Sequence, residues 1–500
     1  MKTTPFRMVF IIRDRPLEDV HKEGSSTTSL RRLAIGLVLA YVAAVVLFYF
    51  LAGEQLHLRQ SRGNIGLPAA DSGTVELAVG SVVEQRFTAK IQRIEQIGIQ
   101  WGTYYRPNAG TVLVELARED SGEVVLSQDF DAAKIQEGGL TTLAAVEPIE
   151  GLYQVPLLLR ITSDSQPDGA ASPLMNTQEQ MEGWELILNG VPTFGMLCFA
   201  VSGTDYIWTG LHYWQFAAAG LALILLFIAA VWYRCRSGKH SYVVNAVVAV
   251  QKYRFLIRQL VGRDFKTKYK RSILGIFWSF LNPLLMMIVQ YFVFSTIFKS
   301  NVPNFAAYLI IGTVMFNFFS ESCGMALTSI LNNGNLITKV YMPKYIYPLT
   351  RVMSSVVNLA ISLIPLLIVC LITEVQLHKS AVLALYFLVC LIIFCLGLGL
   401  LLSTSMVFFR DTQFLWGVLS MMWMYATPIF YPETILPEEF KFVFQVNPLY
   451  HFLKNARLCI LGGISPEPAV YVQCLALALG ALLVGAFVFQ KKQDRFVLYL

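Results

Sequence analysis

The sequence predicts an α-helical polytopic membrane protein with eight transmembrane helices and an external β-sandwich inserted between helices 1 and 2. Three observations predict it. Of 500 residues, 55% are hydrophobic and 14% charged, whereas a soluble chain carries about 25% charged residues. Eight apolar stretches approach the roughly 20 residues that a bilayer core requires of a helix. The long stretch between the first two alternates apolar and polar residues among Gly, Asp and Pro turns, as short antiparallel strands do.

The first apolar stretch, "LAIGLVLAYVAAVVLFYFL" (33–51), is too long and too far along the chain for a signal peptide and reads as a retained anchor. The second is "WQFAAAGLALILLFIAAVW" (214–232). Six more follow at about 276–298, 306–328, 346–372, 381–408, 414–431 and 469–489. Charge orients them. Residues 1–52 hold 7 Lys+Arg and 4 Asp+Glu, net +3; residues 53–211 hold 9 and 20, net −11; residues 212–500 hold 23 and 9, net +14. Basic residues stay on the cytoplasmic side, so Arg31 and Arg32 precede the first crossing inside, and Arg234, Arg236 and Lys239 follow the second inside. The expected order is a cytoplasmic segment 1–32, helix 33–52, external domain 53–211, helix 212–233, cytoplasmic segment 234–274 and a six-helix domain 275–500, with both termini cytoplasmic.

Within the external region, 75–83, 91–101, 110–117, 123–130, 153–163, 183–190 and 195–203 read as strands, with a hairpin turn at 118–122. Such a run suggests a β-sandwich. Of eight cysteines only Cys198 lies here, so no disulfide framework is expected. The region resembles jelly-roll domains of the carbohydrate-binding type, which implies a glycan-binding or lid module. Trp101, Tyr104, Tyr105 and Trp184 are the aromatics that could stack on sugar; they serve equally well as core.

Ahead of the third crossing, Tyr253, Leu256, Ile257, Leu260 and Val261 recur at helical spacing in 247–264, with Gln251, Arg254 and Arg258 on the other face. That predicts an amphipathic helix along the inner interface. Five positive charges then fall within 263–271. Lys266, Lys268, Lys270 and Arg271 exceed what membrane anchoring needs and suit an anionic headgroup, because a phosphate is a concentrated charge.

Several motifs follow in order: "YKRSILGIFWSFLNPLL" (269–285), "NNGNLITKVYMPKYIYP" (332–348), "FFRDTQ" (408–413), "YATPIFYP" (425–432) and "NPLYH" (447–451). Together they resemble type-2 ABC exporter permeases for polysaccharide, O-antigen and teichoic acid. The resemblance covers about 240–500 and leaves the first two crossings and the external domain outside it. It implies a permease homodimer in a bacterial cell membrane, six crossings per half, two copies of a cytoplasmic ATP-binding subunit, and a lipid-linked polymer as substrate. The resemblance further implies a transporter rather than an enzyme. No cofactor is expected on this chain, since no G-x-x-x-x-G-K-[ST] loop is present to cradle phosphates; ATP and Mg belong to the partner. No nucleic acid, metal or catalytic residue is expected. Arg254 and Arg258 on the amphipathic helix, and Asn335, Thr338, Lys339 and Lys344 in the loop 332–345, are placed to dock the ATPase.

A sugar chain has apolar C–H faces that stack on aromatic rings. Candidate conduit residues are Phe277, Phe280, Tyr291, Phe294 and Phe298 near one face of the third crossing, Tyr308, Phe316 and Phe319 on the fourth, and Trp416, Trp423 and Phe430, seven apart, on the seventh. The same stripes could equally face lipid or pack helices. Glu321 and Arg351 lie at a depth of roughly 10 Å by helical rise, where an unpaired charge is costly, and are expected to pair with each other. A secondary lipid or oligosaccharide flippase would need more buried ionisable groups than these. A membrane glycan sensor would not need six clustered crossings, and a glycosyltransferase would need paired loop carboxylates.

Overall fold

The computed structural model describes residues 25–62, 69–236, 252–270, 272–297, 303–339, 342–433 and 441–499. The chain forms two compact units, 54–212 and the helical remainder, 1–53 with 213–500.

The helical unit contains α1 (Ser25–Ala52), α2 (Tyr213–Arg236), α3 (Arg254–Tyr269), α4 (Phe277–Phe292), α5 (Phe305–Leu327), α6 (Ile346–Ile372), α7 (Ala384–Phe408), α8 (Thr412–Tyr425), α9 (Pro448–Leu461) and α10 (Pro468–Lys492). Among the described residues, seven helical segments are long and apolar enough to cross a membrane. They fall on α1, α2, α4, α5, α6, α7 and α10. The eighth expected crossing, 414–431, holds the shorter α8, whose 14 residues run about 21 Å before the chain turns at 426–431. The chain is a multi-pass membrane protein.

α7 and α10 meet backbone to backbone. A Cβ on Gly485 would lie 2.0 Å from the carbonyl oxygen of Gly397, and one on Gly397 only 2.4 Å from the backbone of Ala481. Small residues allow this approach, which brings many dispersion contacts within range where the hydrophobic effect gives helices no drive to associate. The amphipathic α3 lays Tyr253, Leu256 and Ile257 against a cluster of Ile330, Met342, Ile346, Tyr347, Leu400, Val407, Phe489 and Phe496. Arg254 and Arg258 are exposed on its other side. Residues 247–251 of the expected helix lie outside the described residues. α3 marks the basic end of the bundle, where α5 finishes, α6 begins and α10 ends on Lys491 and Lys492.

The second unit consists of a seven-stranded and a six-stranded sheet, antiparallel throughout. Most expected strands are present, among them Arg93–Gly102, Thr111–Arg118, Val124–Asp131, Pro156–Ser163 and Phe199–Tyr206. Two differences stand out. The alternation over 75–83 is not a strand; Gly80, at φ 89, turns the chain, and the strand is Val82–Thr88. Leu140–Glu150 is a strand that hydrophobic alternation does not reveal, since it buries only Leu143. The core contains Phe87, Trp184 and Phe199, whose rings lie 5.0–5.6 Å apart, and the fully buried Trp101. Cys198 is a free, buried thiol, pushed up to about 11 by desolvation. The first strand, Leu58–Arg62, pairs with the last, setting Leu58 opposite Tyr206. Tyr104 and Tyr105 are both in left-handed backbone at φ 54, a conformation that costs an L-residue roughly 1–2 kcal/mol.

Candidate functional site

At the basic end, α3, α5 and α6 enclose a cavity of about 660 Å³. Arg263, Asp264, Lys268, Glu321 and Arg351 supply its charged groups, and Asn332, Asn333 and Asn358 its amides. Asp264 and Lys268 are four residues apart on α3 and so share one face. The two take different partners. The Lys268 ammonium donates to Glu321 Oε1 at 2.6 Å, and Asn358 Nδ2 donates to the same oxygen at 2.7 Å. Asp264, whose side chain is only 5% exposed, receives Arg351 Nη1 at 2.9 Å, while Arg263 Nη2 lies 3.3 Å from its other oxygen.

Glu321 and Arg351 therefore do not pair with each other. α3 brings a charge of the opposite sign to each, so the expected pair across α5 and α6 is replaced by two pairs that tie both helices to α3. Asp264 was not singled out in the sequence. Its signal is a lone carboxylate inside a basic run, "GRDFKTKYK" (262–270).

The expected headgroup cluster is divided. Lys268 is bound to Glu321, whereas Lys266 and Lys270 are exposed. Arg271 lies outside the described residues. In the expected docking loop, Gly334–Lys339 forms a short helix. Leu336 and Ile337 pack inward, leaving Asn335, Thr338 and Lys339 exposed. Lys344 departs from that surface role. Its ammonium donates to the Gln493 carbonyl at 2.6 Å, joining the start of α6 to the turn after α10.

The aromatic stripes separate into two classes. Phe277 and Tyr291 are 50% and 45% exposed on the single chain, and Phe277 stacks on Phe280. Phe294 stacks on Phe430 at 5.7 Å. Phe298 lies outside the described residues. Phe316, Phe319 and Trp416 are buried, and Phe319 is a packing hub that touches Phe316, Phe394, Trp416 and Trp423. These rings consolidate α5, α7 and α8, with Trp423 alone among them partly exposed. In the β unit, Trp101 and Trp184 are likewise core, while Tyr104 and Tyr105 are exposed.

The opposite end holds a second polar assembly. Asn447 caps α9 by accepting from Leu449 N, ahead of a proline in the first turn, a position that proline suits. Its Oδ1 also accepts from Trp423 Nε1 at 2.8 Å, and its Nδ2 donates to Thr427 Oγ1 at 2.8 Å. Arg457, on α9, is buried. It donates to the carbonyls of Pro428, Ile429 and Tyr308 at 2.6–2.9 Å and lies 3.4 Å from the centre of the Tyr308 ring. Motifs "YATPIFYP" and "NPLYH" are thus two halves of one joint. Sequence reasoning missed Arg457; a single arginine within "ARLCIL" (456–461) was the available signal.

Residues 256–461 match the family model described as ABC-2 type transporter. The chain is 29% identical over 257 residues to the O-antigen export system permease protein RfbA of Myxococcus xanthus, covering 51% of this chain and 98% of that protein. It is 30% identical over 246 residues to the protein of the same name from Klebsiella pneumoniae, covering 48% and 93%. The polysialic acid transport protein KpsM of Escherichia coli is 21% identical over 246 residues, again covering 48% and 93%.

Proposed function

The chain belongs to the type-2 ABC permeases of polysaccharide export, and from that premise we propose that it carries a lipid-linked polysaccharide or teichoic-acid-like polymer from the cytoplasm to the cell exterior. In this reading it acts as a homodimer driven by two copies of a separate ATP-hydrolysing subunit. The basic end is cytoplasmic, and α3 with the exposed side of Gly334–Lys339 docks that subunit.

The observation that carries the reading is the cavity under α3. Three cations, Arg263, Lys268 and Arg351, share it with two carboxylates, Asp264 and Glu321, leaving a net positive charge where a lipid phosphate would arrive. Exposed Lys266 and Lys270 draw the headgroup in, and Lys268 exchanges Glu321 for phosphate. Because Lys268 also links α3 to α5, arrival of substrate loosens a joint between the docking helix and the bundle. The exposed rings of Phe277 and Tyr291 offer stacking faces to the sugar that follows.

The test is reconstitution in proteoliposomes with a candidate ATP-hydrolysing subunit from the same cell. We expect no ATP hydrolysis by the chain alone, hydrolysis with the partner, and stimulation by lipid-linked saccharide. Lys266→Ala with Lys270→Ala should raise the half-maximal substrate concentration several-fold. Robust turnover by the purified chain alone would overturn the assignment.

A further inference from the structure

We propose that the loop Thr103–Arg106 of the β unit is a saccharide-binding platform that takes a neutral sugar of an extended glycan. The inference rests on the export reading above for the presence of a glycan, and on the β unit's own geometry for the site.

Five non-glycine residues of the unit have positive φ: Tyr104, Tyr105, Gln154, Asp168 and Asn189. Two of them, Tyr104 and Asp168, lie beside Arg106, and Tyr105 precedes it in the chain. Its guanidinium lies 5.0 Å from the centre of the Tyr104 ring, it is paired with Glu76, and it lies 3.9 Å from Asp168. Consecutive left-handed tyrosines are disfavoured, and glycine would relieve them. Packing does not repay the strain at Tyr105, whose side chain is 90% exposed. The loop is nevertheless held in place. Glu137 accepts from Thr103 N at 2.6 Å and Thr103 Oγ1 at 2.7 Å, with Tyr105 N at 3.5 Å. Strain held by surrounding bonds around displayed groups points to a ligand. Two positions beyond Arg106, Asn108 is buried with both side-chain amide atoms unpartnered.

The displayed chemistry is that of sugar recognition. The exposed Tyr105 ring, and the half-exposed Tyr104 ring with Arg106 over one face, meet axial C–H groups, and a guanidinium flanked by two carboxylates offers donors and acceptors to adjacent hydroxyls. The flanking carboxylates, in a unit of net charge −11, disfavour a polyanion and select a neutral sugar.

The experiment uses the full chain in nanodiscs and, as probe, polysaccharide released by mild acid from the surface of the host cell, with dextran as control. Binding is measured calorimetrically. Wild type should bind the probe in preference to dextran. Tyr105→Gly should weaken binding at least tenfold while raising the melting midpoint of the β unit, and Arg106→Ala should also weaken binding. Absence of wild-type binding, or an affinity of Tyr105→Gly within twofold of wild type, overturns the proposal. Surface polysaccharide is assayed in parallel. Export without binding overturns this inference and leaves the export reading standing; binding without export sustains the inference and overturns the export reading.

Discussion

Lys268 Nζ lies 2.6 Å from Glu321 Oε1, and this contact fastens the amphipathic helix α3 to the end of α5. Both side chains are partly exposed, at 44% and 29%, so the pair contributes about 1 kcal/mol or less to folding. Its importance is positional.

Reversing the pair tests that position. Lys268→Glu and Glu321→Lys should each lower surface polysaccharide several-fold while shifting the melting midpoint little. The double exchange should recover most of the export. If the double variant is as poor as the combined singles, the two residues are not coupled.

Asp264 and Arg351 should behave differently, because Asp264 is nearly enclosed. Asp264→Asn leaves Arg351 without its counter-charge, a loss of roughly 3 kcal/mol for a buried pair. We expect a clear fall in the detergent melting midpoint, recovered in part by adding Arg351→Met. Glu321→Gln combined with Arg351→Gln should show added losses and no compensation, since these two do not touch.

Arg457 holds three carbonyls from two other segments. Arg457→Lys cannot reach all three with one ammonium, and Arg457→Met abandons them; each stranded buried group costs about 1–3 kcal/mol. Size-exclusion profiles in detergent should show Arg457→Met aggregated or absent, with Arg457→Lys intermediate.

The Glu137 carboxyl is held below the usual carboxylate range, first by the Thr103 hydroxyl and then by the Thr103 amide. A depressed folded pKa means the contribution is present at neutral pH and is lost as pH falls through the folded value, below the unfolded value of about 4. The melting midpoint of the β unit should therefore fall less on acidification in Glu137→Gln than in wild type. Parallel loss in both proteins would show that the Thr103 bonds do not depend on the charge.

The crossings were legible because a bilayer demands long, nearly uninterrupted apolar helices. α9 was not, being short, mixed in polarity and anchored by Arg457. Charge at Glu321 and Arg351 could be recognised as costly, but their partners depend on how α3 rotates against α5 and α6, which spacing along one chain does not contain. The aromatic periodicity at Phe316, Phe319 and Trp416 was real; period alone does not tell a ring that faces a channel from one that packs against a neighbouring helix. In the β unit, the alternation at 75–83 misled because Gly80 turns the chain, and the exposure of Tyr105 follows from a backbone conformation that no sequence pattern announced.

The antiparallel pairing of Leu58 with Tyr206 has an evolutionary corollary. A module whose two ends leave from neighbouring strands behaves as a cassette. It can be spliced into the turn of a helical hairpin, or excised from it, without changing how many times the chain crosses or on which side it finishes. An exporter lineage could thus acquire or discard the whole sandwich in one genetic event while keeping its transport core intact.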